Sequence, residues 1–224
     1  RFHTYDTQDG LVHNRVFAIE LDADGCLWFA TGAGLGRFDG RDFSRQTTAN
    51  GLAHNDVQAM KFDADGLLWV GGLGGVVSFF DGTTWTSLDS RDGLVGSSIR
   101  AIEQDAEGFM WFGTDRGAIR YRRNTATNPA AVITAVHTDV RHTDLHDLRP
   151  LIAGMRATIE YTSIDFRSSP ERRQYRCRIS GAEWSTPTVM TRFEWTPPEP
   201  GDHLFEVQAI DQDLNYSEPV QLNI

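Results

Sequence analysis

Two cysteines in 224 residues, a single lysine and no apolar run of membrane-spanning length are the conspicuous shortages of this sequence. Each excludes something. Cys26 and Cys177 cannot build a disulfide framework, and neither has a second Cys or a His at metal-ligand spacing, so both are expected as buried free thiols. That count is compatible with the cytoplasm or a bacterial periplasm and selects neither. No stretch approaches the roughly 18 apolar residues of a transmembrane helix, and no convincing helical periodicity appears anywhere. Lys61 is the only lysine, and the formal net charge is −10. This excess of acid argues against nucleic acid or an anionic membrane surface as partner. Also missing are a G-x-S-x-G elbow, a Cys/His pair with an orienting group and a phosphate loop, so the segment is expected to be neither an enzyme nor a cofactor carrier.

What is present repeats. Leu21–Gly40 reads LDADGCLWFATGAGLGRFDG, and its DADG resembles the start of a calcium loop. Such a loop needs oxygen ligands at alternating positions and a glycine at the sixth. Gly25 falls at the fourth, and Cys26, Leu27 and Trp28 follow where ligands should continue. The stretch then returns as FDADGLLWV and QDAEGFMWFG, with Trp28, Trp69 and Trp111 spaced by 41 and 42 residues and Gly10, Gly51 and Gly93 spaced identically. Each unit runs from a Gly-Leu to an apolar-alternating run: VFAIEL (16–21), VQAMKF (57–62) and IRAIEQ (99–104). An Asp-containing turn, a Trp strand, a Gly-rich turn and further strands follow. A period of about 40–45 residues with four short strands is the signature of a β-propeller blade. Asp22, Asp63 and Asp105 are therefore read as hairpin residues, with Asp24 and Asp65 in the turns, and no metal is expected there.

The fold class expected is all-β: a partial propeller of three four-stranded blades, then a fibronectin-III-like β-sandwich. The blades occupy 1–128, with repeats near 9–49, 50–91 and 92–128. Phe2 precedes Gly10 as Phe43 precedes Gly51 and Trp85 precedes Gly93, so residues 1–7 are expected as an outer strand of another blade. The third unit lacks its fourth strand after Tyr121. Three blades are fewer than a ring needs, which suggests a fragment of a longer propeller or pairing of blades between chains. From Pro129 the repeat is lost. The runs AVITAVHTDV, ATIEYTSIDF, RQYRCRI, TRFEWT, HLFEVQAID and VQLNI suggest a small sandwich over 129–224.

The repeated G-L-x4-V, D-x-x-G-x-x-W pattern resembles the two-component regulator propeller repeat. The tail YRCRISGAEWS…TPPEPGDHLFEVQAIDQDLNYSEPVQLNI resembles the triple-tyrosine (Y_Y_Y) domain that follows such propellers. The resemblance implies a periplasmic ligand-sensing region of a bacterial membrane receptor, anchored by a helix outside this sequence. Its output would be a sensor histidine kinase or a GGDEF diguanylate cyclase, and its partners a small-molecule or oligosaccharide ligand and a second copy, as homodimer or higher assembly. Cys177 and His203 stand where aromatic hydroxyls belong in that pattern, and Phe193 replaces a third. A propeller lyase or lactonase, which would need a His/Glu or metal cluster at the channel mouth, and a protein-interaction scaffold are the competing functions.

If the VFAIEL-type strand is innermost, the loops entering it and the Gly-rich turns share one face. That face collects His13, Asn14 and Arg15; His54, Asn55 and Asp56; Ser97, Ser98 and Arg100; and Asp115 and Arg116. Chemistry that varies on a constant scaffold is how repeat folds build binding surfaces, so these residues are the candidate ligand contacts. Equally, Asn14, Asn55 and Ser97 could cap the start of each inner strand. A metal at the histidines is not expected, because the third matching position is Gly96. Trp28, Trp69 and Trp111 read as inter-blade core, Trp184 and Trp195 as sandwich core, and Trp85 as outer-strand packing. HTDVRHTDLHD (137–147) is rich in His and Asp, but its spacing fits neither a zinc finger nor an H-E-x-x-H helix.

Overall fold

The computed structural model describes residues 1–145, 148 and 151–224. Two compact units emerge, Arg1–Arg123 and Asn124–Ile224, so the division falls a few residues ahead of the 128/129 boundary expected from loss of the repeat.

In the first unit the apolar-alternating runs form strands with the limits read from sequence. Blade one is β1 (Val16–Leu21), β2 (Leu27–Thr31), β3 (Gly34–Phe38) and β4 (Phe43–Gln46). Blade two is β5 (Val57–Phe62), β6 (Leu68–Gly72), β7 (Val77–Phe80) and β8 (Trp85–Leu88), and blade three is β9 (Ile99–Gln104), β10 (Met110–Thr114) and β11 (Gly117–Tyr121). Each sheet is antiparallel in chain order, with four, four and three strands. The first strands are neighbours, β1 beside β5 and β5 beside β9, which makes them the inner strands of adjacent blades. Each carries a bulge at its second residue, Phe17, Gln58 or Arg100. A bulge re-aims a side chain and sharpens local twist. Its recurrence in all three copies marks it as part of the repeat.

The carboxylate that opens each hairpin is committed to its own chain. Asp22 Oδ1 accepts from the Asp24 and Cys26 amides at 3.1 and 2.8 Å, and its Oδ2 accepts from the Trp28 indole N–H at 3.0 Å. Asp63 does the same for Asp65, Leu67 and Trp69, and Asp105 for Glu107, Phe109 and Trp111. The tryptophan is thereby fixed at both ends, since its ring enters the next blade. Trp28 packs edge-on to Phe62, at 6.3 Å, and lies near Phe80, while Trp69 reaches Phe112 and Tyr121. Trp69 is fully buried, whereas Trp111 is 39% exposed, because the described residues supply no blade for it to enter.

The Gly-Leu that starts each unit also has a physical reason. Gly51 closes a short 3-10 turn at φ +103°, and a Cβ there would sit 3.2 Å from Cβ of Trp85. Only glycine meets both demands without strain. Leu52 beside it is buried, as are Leu11 and Leu94. Residues 1–7 depart from expectation: they form no strand. A strand exists only through a hydrogen-bonding neighbour, and this segment pairs with none of the described strands. Instead Tyr5 rests on Phe38 and Phe43, and Phe2 is fully exposed.

The second unit is a sandwich. Its strands are β12 (Ala130–His137), β13 (Arg141–His142), β14 (Ala157–Ile164), β15 (Gln174–Ile179), β16 (Arg192–Trp195), β17 (Leu204–Ile210) and β18 (Val220–Asn223). They form sheets ordered β13-β12-β14-β16 and β15-β17-β18. Period-two alternation puts Ala157, Ile159 and Tyr161 of β14 against Tyr175 and Cys177 of β15 and Phe205 and Val207 of β17 in one core. Tyr161 and Tyr175 lie 5.2 Å apart, with Phe205 and Phe193 extending the aromatic cluster. Burial pushes the Cys177 thiol up to about 11. Trp195 packs against this core and meets His203 edge-on at 4.8 Å.

Trp184, expected in the core, is not there. It lies half-buried on the outer face of β15, under the guanidinium groups of Arg176 and Arg178 at 4.9 and 4.4 Å. Those arginines alternate with the core residues Tyr175 and Cys177, and their charge attracts a ring face. Arg178 also pairs with the buried Glu206 carboxylate at 2.5 Å.

Candidate functional site

The loops that enter the inner strands lie at one end of the blades together with the β2-β3, β6-β7 and β10-β11 turns, and the Asp-Gly hairpins lie at the other. The structure therefore distributes the candidate residues as strand order requires.

His13 Nδ1 accepts from the Arg15 amide at 2.9 Å, and His54 Nδ1 accepts from the Asp56 amide at 3.0 Å. Acceptance at Nδ1 puts the proton of the neutral ring on Nε2. Both exposed histidines thus present an N–H donor that has no partner among the described residues. Asn14 and Asn55 play a different part from a cap on the inner strand. Their Oδ1 atoms accept from the amides of Thr7 and Thr48, each seven positions back, and so close the loop that precedes the strand. Arg15 lies over the Phe17 ring at 4.6 Å. Asp56 accepts from the Gln58 side chain at 2.8 Å.

Blade three inverts the arrangement. Gly96 stands where the other blades have histidine, at φ +108°, and a Cβ there would lie 2.5 Å from Oδ1 of Asp115. The missing side chain makes room for the carboxylate, which accepts from the Ser97 amide and hydroxyl at 2.8 and 2.6 Å and from the Ser98 amide. The Ser97 hydroxyl is the leading reason why Asp115 is held below the usual carboxylate range. Arg100 donates to the Ser98 hydroxyl, and the Arg116 amide donates to Thr114 Oγ1. Sequence reasoning missed the bulged Phe17 and Gln58 on this face. The sequence signal for the bulge is the pair of consecutive apolar residues at the third and fourth strand positions, Ala18-Ile19, Ala59-Met60 and Ala101-Ile102, which breaks strict alternation.

This face can offer imidazole N–H donors, two carboxylates and three guanidinium groups to a polar ligand. It offers little to catalysis. A serine hydrogen-bonded to a carboxylate of lowered pKa, with no imidazole between them, is not an activated nucleophile. The slot that His54 and Asp56 help to line holds only about 10 Å³, room for a single water. A cavity of about 660 Å³ opens instead at the hairpin end, between blades one and two.

In the sandwich, the His/Asp-rich segment resolves into ordinary pairs. His137 lies 3.1 Å from Glu160, which also pairs with Arg141, and His142 contacts the Thr138 hydroxyl at 3.3 Å. His146 and Asp147 lie outside the described residues. Among the described residues no group of three or more His, Cys, Asp or Glu side chains is arranged to hold a metal. No described helix is long and apolar enough to cross a membrane.

No curated protein matches the chain. Among solved structures, one described as the extracellular domain of a hybrid two component system from B. thetaiotaomicron aligns at a TM-score of 0.52. Identity is 20%, over 98% of this chain and 33% of that one. A second, described as the extracellular domain of a one component system from the same organism, has 15% identity over 99% of this chain and 37% of its own. Its TM-score is 0.46. The chain thus spans about a third of the length of these structures, and the first likeness is one of fold. Three segments, residues 10–33, 51–74 and 93–116, one in each blade, match the family described as the two component regulator propeller.

Proposed function

We propose that the chain is the extracytoplasmic ligand-sensing region of a bacterial transmembrane receptor of the two-component type, and that it senses rather than catalyses. A polar small molecule or oligosaccharide binds at the strand-entry face, contacted by His13, Arg15, His54, Asp56, Ser97, Arg100, Asp115 and Arg116. The sandwich, read as the triple-tyrosine domain of such receptors, passes the bound state toward a membrane helix and a histidine kinase. Because binding shifts an equilibrium only by its differential affinity for two arrangements, the output requires two states of the sandwich, and self-association of two copies supplies them.

The observation that carries this reading is the placement of the family matches. Each of the three spans a strand-entry loop, an inner strand, a hairpin and a Trp strand, so the residues of the candidate face are carried by the segments that match the family. The experiment is a thermal-shift screen of the protein against mono- and oligosaccharides and small polar metabolites, followed by titration of hits into His54→Ala and Asp115→Ala variants. A hit whose affinity falls at least tenfold in both variants, and which raises the dimer fraction in sedimentation, is the expected result. Ligands that bind undiminished to both variants would remove the face from the proposal. Turnover of any ligand by the isolated protein would remove the sensor reading.

A further inference from the structure

The cavity at the hairpin end is explained by comparing the two blade seams, which have the same backbone plan and different contents. Between blades two and three the seam is filled. Gln104 Oε1 accepts from the Ala64 amide at 2.8 Å, and the Arg123 guanidinium lies 3.9 Å from the Asp65 carboxylate. Arg123 is largely buried there. One repeat earlier, Ala23 and Asp24 take the places of Ala64 and Asp65, but Phe62 replaces Gln104 and Gly82 replaces Arg123. No side chain among the described residues reaches the Ala23 amide, and the Asp24 carboxylate has no partner. The space left is the cavity of about 660 Å³, lined by Ala23, Asp24, Arg37, Phe62, Phe80 and Gly82 among others. Its volume falls in the range of small-molecule sites, about 300–1,000 Å³.

We propose that this groove binds a small ligand carrying a carboxamide and an organic cation, the chemical equivalents of the Gln104 and Arg123 side chains that close the next seam. The carboxamide oxygen accepts from the Ala23 amide. The cation pairs with Asp24 and lies against the Phe62 and Phe80 rings, whose faces attract positive charge. Arg37 does not oppose it, because its guanidinium is already paired with Asp22 at 3.3 Å and donates to Cys26 Sγ at 2.9 Å. The site is at the opposite end of the inner strands from the strand-entry face, and it stands whether or not that face binds a ligand.

L-argininamide carries both groups and is the probe. Titrated into the whole chain and followed by calorimetry and tryptophan fluorescence, it is expected to bind with a signal from Trp28, which borders the groove. Asp24→Asn removes the anionic partner. Ala23→Pro deletes the amide at the second position of the turn, where proline is compatible. Each should weaken binding at least threefold with the melting temperature retained, while Asp65→Asn in the filled seam should leave it unchanged. The proposal is overturned if argininamide does not bind at millimolar concentration, if the two groove variants bind as tightly as the parent, or if glucose and glutamate bind as well as argininamide.

Discussion

Replacing Asp63 with alanine removes the acceptor for three donors at once. The amides of Asp65 and Leu67 donate to Oδ1 at 3.0 and 2.8 Å, and the Trp69 indole donates to Oδ2 at 2.7 Å. The Asp65 amide lies in an exposed turn and can turn to water. The indole cannot, since Trp69 is fully buried between Phe79, Phe112 and Tyr121. A buried donor left unsatisfied costs about 1–3 kcal/mol, and a hydrogen bond to a charged group contributes about 1.5–3 kcal/mol. These overlap, so Asp63→Ala should destabilise the protein by roughly 2–4 kcal/mol. The matched change Asp105→Ala cuts the same three bonds, but Trp111 is 39% exposed, and water can take the place of the carboxylate. Its loss should be clearly smaller. Urea denaturation followed by tryptophan fluorescence measures both. Equal losses, or a larger one at Asp105, would refute the claim that burial of the ring, rather than turn geometry, sets the value of the clamp.

Asp24→Asn with Asp65→Asn should leave the melting temperature insensitive to calcium or chelator, since the hairpins are closed by the Asp22 and Asp63 carboxylates, which bond to their own backbone amides and indoles rather than to a cation. A calcium-dependent rise in the parent that vanishes in the double variant contradicts this. Trp111, Ile19 and Leu21 leave apolar side chains exposed on the outermost blade faces, so the isolated chain should self-associate in sedimentation, and Ile19→Glu should reduce that association without lowering stability. Unchanged association in Ile19→Glu counts against it. Asp105, Asp115 and Glu206 have carboxyl groups held below their ordinary range, chiefly by hydrogen bonds from Trp111, Ser97 and Arg178. A depressed folded-state pKa gives stability that is present above the unfolded value and lost as pH falls through the folded one. Acid unfolding monitored by circular dichroism should therefore begin below about pH 4.5, and a protein losing stability steadily from pH 7 to 5 would contradict that assignment. Cys177, buried and with its thiol raised to about 11, should resist iodoacetamide at pH 8 until denaturant is added. Mass spectrometry of the intact protein would expose rapid native labelling.

The sequence alone determined the repeat, the limits of the three inner strands and the sandwich, for one physical reason. The three Gly-Leu, Asp-turn and Trp positions are each imposed by local chemistry: a left-handed glycine, a hairpin carboxylate, an alternating apolar face. Those demands recur wherever the unit recurs, so they are visible as spacing. The family matches at residues 10–33, 51–74 and 93–116 follow that spacing. It also made Cys177 legible as a core residue, because Tyr175 and Ile179 flank it at period two.

What only the tertiary structure decided are the relations between residues that spacing leaves unconnected. The bond from each hairpin Asp to the indole six positions on requires the twist that brings β1 and β2 together. Trp184 looked like core until the arginines on the outer face of β15 drew its ring outward. Residues 1–7 carry strand chemistry yet form no strand, because pairing depends on a neighbour and not on the segment itself. Asn14 and Asn55 turned out to hold the loop behind them. The same holds for the groove between blades one and two. Its openness comes from Phe62 and Gly82 standing where Gln104 and Arg123 fill the next seam, and a cavity is a property of what two blades leave unfilled between them.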